Sequence, residues 1–129
     1  MSVRVTIVDG PLARHEMAAD DSGAVGAEVV FDGIVRAIEG DSTIAALEYE
    51  AYRPMAEKEL RRLGERLVGS PGLRSIEVWH SVGRVPVGAS SFRLLVRSAH
   101  RKEALLAMDE FIDAMKRDVP LWKKAAPAE

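Results

Sequence analysis

The sequence predicts a mixed α+β domain with a largely antiparallel sheet. Two observations predict it. Apolar runs with strand character alternate with segments of helical apolar spacing, in the order strand, helix, two strands, helix, two strands, helix. In addition, 129 residues with 47% hydrophobic content suffice for one packed domain, 1–129, without crosslinks.

Val3, Val5 and Ile7 alternate with polar residues and mark a first strand through Val8. Asp9 caps a short helix, with Pro11 in its first turn, that runs to about Ala19. Asp20-Asp21-Ser22-Gly23 is a loop, and residues 27–35 form a buried strand interrupted by Gly33. Glu39-Gly40-Asp41-Ser42 turns the chain into a strand over residues 44–52.

Pro54 begins the second helix. Ala56, Leu60, Leu63 and Leu67 form its apolar stripe, while Glu57, Lys58, Arg61, Arg62 and Glu65 face water. Glu57 and Arg61 have the spacing of a weak surface pair. Gly69-Ser70-Pro71-Gly72 stops this helix, and two strands follow near 75–80 and 91–97, separated by residues 83–88. The last helix, 101–116, buries Ala104, Leu105, Met108, Phe111, Ile112 and Met115, with Lys116 at the border of the apolar face. Pro120 then turns the chain, so Lys123 is not bound to the helical face of Lys116 and is free to fold back towards it. Residues 125–129 read as a frayed tail.

A net charge of −2 argues against a general nucleic-acid binder, which needs a broad basic face. The absence of cysteine excludes disulfides and thiolate chemistry and fits a reducing cytoplasm. No apolar run is long enough to cross a bilayer, and no secretion signal is visible at the N-terminus. His15, His80 and His100 lack metal-ligand spacing, so no metal is expected.

Against this mildly acidic background, cations gather around the last helix. His100 and Arg101 occupy its first turn, where the helix dipole favours anions, so an anion bound there is one explanation. The other is that Ser98 caps the helix while His100 and Arg101 point into solvent. Lys116 suits the dipole at the helix end, and Lys123 beside Lys124 also fits a solvated pair. Arg36 follows Gly33 closely enough to reach over the gap that a glycine leaves, or it is an ordinary strand-end arginine.

Several segments then form a pattern. Phe31-Asp32-Gly33-Ile34-Val35-Arg36, Leu47-Glu48-Tyr49-Glu50-Ala51-Tyr52, Met55-Ala56, Ser98-Ala99-His100-Arg101, Met115-Lys116 and Pro120-Leu121-Trp122-Lys123 occur in order. From about Gly23 to Lys124 the chain resembles the MoaE family, the large catalytic subunits of molybdopterin synthase. The resemblance implies an α/β-hammerhead fold and a homodimer within a heterotetramer. The other subunit would be a small ubiquitin-like sulfur carrier whose C-terminal Gly-Gly tail ends in a thiocarboxylate. It implies transfer of that sulfur to cyclic pyranopterin monophosphate, forming molybdopterin in molybdenum cofactor biosynthesis; no cofactor, nucleic acid or membrane is expected. By position, the catalytic lysines fall on Lys116 and Lys123, and the substrate- and anion-binding cations on Arg36, His100 and Arg101. Two positions depart from the family pattern: Ser81, where relatives commonly carry arginine, and Ala125, where they usually carry glutamate. These departures favour the rival expectation, a non-catalytic module that keeps the fold and grips an anion or a ubiquitin-like tail.

Overall fold

A computed structural model describes residues 2–14 and 18–128. In chain order the elements are β1 (Ser2–Asp9), β2 (Ala27–Ile34), β3 (Ile38–Glu39), β4 (Ser42–Ala51), α1 (Met55–Val68), β5 (Leu73–Pro86), β6 (Ser90–Ser98), α2 (Arg101–Asp118) and β7 (Leu121–Pro127). The sheet runs β2-β6-β5-β4-β3, with β1 added to β5 and β7 to β4. Among the described residues only β1 and β5 pair in parallel; every other pairing is antiparallel. The predicted class is therefore the observed one.

β5 ties the two parts of the sheet together. As far as His80 it pairs with β6 on one side and β1 on the other. From Gly83 (φ +81°) to Pro86 it pairs with β4 instead, Gly83 standing opposite Tyr49. A side chain at Gly83 would meet Asp9 Oδ1 at 2.7 Å and would be strained at that φ, so glycine is required where β5 changes partner. Residues 83–86, expected to separate two strands, are thus strand; the turn is confined to the few residues between Pro86 and Ser90.

Both helices cover one face of the β1, β5, β6 and β2 region. Leu60 of α1 and Phe111 of α2 are fully buried with Ile76, Val78, Leu94 and Val96 of the sheet. Each such large side chain removed from water stabilises the fold by about 1.5–3 kcal/mol. A smaller cluster of Val35, Ile44, Leu47 and Val85 lies where β4 meets the end of β5.

The structure corrects the sequence reading at five places. The described residues form two helices, not three. Among residues 10–14 and 18–26 there is no helix, and His15 lies outside the described residues. Gly10 has φ +84°, Leu12 bridges to Ser90, and Arg93 Nη2 takes the Ala13 carbonyl at 2.9 Å, so this backbone bonds to the sheet instead of to itself. Glu57 pairs with Arg53 (2.8 Å), not with Arg61, whose guanidinium donates to the Val3 carbonyl at 3.1 Å. Leu105 is 52% exposed and Ile112 only half-buried, because α2 lays Ala104, Ala107 and Ala114 against the sheet beside Met108, Phe111 and Met115. Small side chains let the helix approach closely, and the larger leucine is rotated outwards. Residues 83–86 are strand, part of β5, and do not separate two strands. Finally, residues 125–127 belong to β7, with Ala125 opposite Leu47 and Pro127 opposite Ile44, so they are not frayed.

Candidate active site

Where β4, β5 and β6 diverge, a cleft of about 450 Å³ opens beside the C-terminal end of α2. Arg36, Lys116 and Lys123 all line it. Each reaches it for a different local reason. Arg36 follows the bulge at Gly33 and Ile34, and it follows directly on buried Val35. The Val35 N–H donates to Ala89 O (3.0 Å) and its carbonyl accepts from Gly88 (2.8 Å), which pins the backbone and leaves Arg36 at the cleft. Lys116 lies in the last turn of α2, next to buried Met115. Past Val119 the chain reverses: Leu121 N–H donates to Val119 O at 2.7 Å, and Pro120 O accepts from Tyr52 at 3.1 Å. This turn starts β7 against β4, with Lys123 opposite Tyr49. Lys123 therefore folds back to the cleft that Lys116 lines.

Glu39 is the one carboxylate among the described residues lining this space, and its Oε1 lies 3.2 Å from Lys123 Nζ. Neither Arg36 nor Lys116 has a carboxylate partner among the described residues. Three cations and one carboxylate leave the cleft positive within a chain of net charge −2. Deeper in, Tyr49 and Ser91 share a hydrogen bond between hydroxyls at 2.9 Å, and the His80 ring stands edge-on to Tyr49. His80 is 5% exposed, and burial pushes its pKa below the ordinary histidine value. Its Nδ1 lies 2.7 Å from the Ser81 carbonyl and therefore carries the proton. A neutral His80 leaves Nε2 as an acceptor.

His100 and Arg101 are not brought to this cleft. They open α2, and the helix rise places the backbone of Arg101 about 22 Å from that of Lys116. His100, not Ser98, is the N-cap residue; the Ser98 hydroxyl bonds the His100 carbonyl instead. His100 N–H donates to Glu103 Oε2 at 2.9 Å. Glu103 supplies the first-turn negative charge that a helix N-terminus favours, a partner that the sequence reading passed over.

Sequence reasoning also missed Glu39, His80 and Tyr49 as members of the cleft. For Tyr49 a signal exists: Leu47 and Tyr49 alternate with exposed Glu48 and Glu50 along β4. For Glu39 there is none, since its contact joins a hairpin end to a strand far along the chain. Ser81 is fully buried, and neither Ser81 nor Ala125 lines the cleft.

A family model described as MoaE protein matches residues 7–118, most of the chain. The chain belongs to the MoaE family. The matched span includes Arg36, His100, Arg101 and Lys116, and ends just before β7 and Lys123. The molybdopterin synthase catalytic subunit of Dictyostelium discoideum is 37% identical over 112 residues, covering 85% of this chain and 70% of that one. The human protein of the same name is 40% identical over 99 residues, 77% of this chain and 53% of its own length. This MoaE-family chain thus spans about half the length of its human relative. Among solved structures, molybdopterin synthase from Staphylococcus aureus superposes with a TM-score of 0.84 at 34% identity, covering 96% and 91% of the two chains. The complex of subunits 1 and 2 of molybdopterin-converting factor from Helicobacter pylori gives a TM-score of 0.74 at 26% identity, with 97% and 90% covered. The fold is that of MoaE structures, with two helices among the described residues. Among the described residues no helix is long and apolar enough to cross a membrane.

Proposed function

We propose that this MoaE-family chain is the catalytic subunit of a molybdopterin synthase. It moves sulfur from the C-terminal thiocarboxylate of a small ubiquitin-like subunit to cyclic pyranopterin monophosphate, and it works in the cytoplasm. The observation that carries this reading is the meeting of Arg36, Lys116 and Lys123 at one cleft. A phosphate and a thiocarboxylate are both anions, so a positive cleft draws both reactants to one place.

Lys116 takes the reacting position, as general acid or base or as the amine that attacks the acyl carbon. It is the cleft lysine without a carboxylate partner among the described residues. Lys123 holds substrate or stabilises developing charge, and Arg36 grips the phosphate through its planar donor fork. His100 and Arg101 lie too far along α2 to serve the same cleft of one chain. Their part as anion binders calls for the homodimer, in which a second copy presents the start of its α2 to the cleft.

Lys116→Ala tests the assignment. The variant should fold and bind the small subunit with unchanged affinity, while product formation falls by roughly 10²–10⁴-fold, the range for loss of an acid–base group. Turnover within a few-fold of the parent chain would remove Lys116 from the chemistry.

A further inference from the structure

Lys123 meets the cleft already paired, and the pair is built in an unusual way for a structural salt bridge. Glu39 closes the two-residue strand β3, at the edge of the sheet, and precedes Gly40 (φ +62°) in the turn to β4. Ile38 and Glu39 pair only with Thr43 and Ser42 across that turn. The carboxylate is thus offered by a short edge hairpin and not by the core. Both side chains remain open to water, Lys123 at 51% and Glu39 at 35% exposure. Pairs this exposed are weak, and solvent and salt screen them. An anion entering the cleft finds Arg36 and Lys116 without carboxylates and Lys123 with one.

We infer that Glu39 is a positioning residue that acts as an internal counter-anion. It holds the Lys123 ammonium at the cleft while no ligand is present and gives it up to an incoming phosphate-bearing anion. A phosphate brings more negative charge and more acceptor oxygens than one carboxylate, so it wins the exchange. The exchange has a cost, because the Lys123–Glu39 contact is lost and Glu39 repels the ligand until it moves away. Glu39 therefore lowers the affinity of the cleft for phosphate anions. The inference rests on reading the cleft as an anion receptor.

The probe is inorganic pyrophosphate, titrated calorimetrically into the full chain at low ionic strength. Glu39→Gln should bind it about two- to fivefold more tightly, the range expected for one exposed ion pair. Glu39→Asp, whose carboxylate is one methylene shorter and falls back from Lys123, should show a smaller gain. In a Lys123→Ala background the gain from Glu39→Gln should disappear. Unchanged thermal midpoints confirm that the hairpin variants fold. A Glu39→Gln protein that binds no more tightly overturns the inference. So does an equal gain without Lys123, which is a general field effect, or the absence of pyrophosphate binding in all variants. Product formation by the parent chain is assayed separately. Product without the pyrophosphate gain refutes the role of Glu39 alone, and the gain without product refutes the proposed function alone.

Discussion

The separation of Arg101 from Lys116 leads to a complementation experiment with an arithmetical outcome. About 22 Å along α2 lies between their backbones, far more than a cleft of 450 Å³ bridges. If both residues serve one substrate, each active site draws Lys116 from one chain and Arg101 from another. Lys116→Ala and Arg101→Ala, each alone, should then be inactive. Co-expressed at equal levels, half of the dimers are mixed. In each mixed dimer one site carries both substitutions and the other carries neither. The mixture should therefore recover about a quarter of the parent activity in a two-fold symmetric dimer. The assay is molybdopterin formation with a thiocarboxylated small subunit, on the mixture and on mixed dimers isolated by two different tags, which should show about half of the parent activity. If each site were built within one chain, both sites of a mixed dimer would hold one substitution. Activity no higher than the sum of the two single variants, in verified mixed dimers, would refute the shared site.

Two further outcomes concern the sheet that carries the cleft. Asp32→Asn should destabilise the fold by about 2–4 kcal/mol, read from the urea midpoint, because a buried charge loses its counter-charge. Asp32 Oδ1 accepts from Arg93 Nε (2.8 Å) and Ser90 Oγ (2.7 Å), and the Arg93 side chain is 8% exposed. A loss below about 0.5 kcal/mol, the scale of a surface pair, would show that this pair does not hold the strand. His80 sets a pH dependence. Burial lowers its pKa in the folded state, so below the ordinary histidine value the unfolded chain binds the proton and the folded one does not. Stability should accordingly fall as pH drops from 7.5 towards 5, with a slope of at most about 1.4 kcal/mol per pH unit from this group. His80→Asn should flatten that part of the profile, and an unchanged slope would contradict a buried neutral imidazole.

What could be read from the sequence was what local chemistry determines. Alternation marked β1, the stripe from Ala56 to Leu67 marked α1, and Pro120 marked the turn that returns Lys123 to Lys116. The failures share a cause, since each depends on partners distant in sequence. Residues near Pro11 looked helical until Ser90 and Arg93 of β6 claimed their backbone groups. Leu105 looked buried because leucine is more apolar than alanine, whereas close packing of α2 favoured Ala104 and Ala107. Ala125 and Pro127 looked loose because nothing nearby shows that β4 has a free edge to pair with them. Lys116, Lys123 and Arg36 were singled out through the family resemblance, and the fold brings these three to one cleft. Glu39 was read only as part of a turn, and the distance between the two ends of α2 came from folding the helix at full length.

The central claim is that this cleft makes molybdopterin. The most direct test mixes the chain with a thiocarboxylated small subunit and cyclic pyranopterin monophosphate and assays for the dithiolene product. The account predicts product that depends on both the small subunit and Lys116. Tight binding of the small subunit with no product, from a fully folded chain, would contradict it and mark a binding module that keeps the fold without the chemistry.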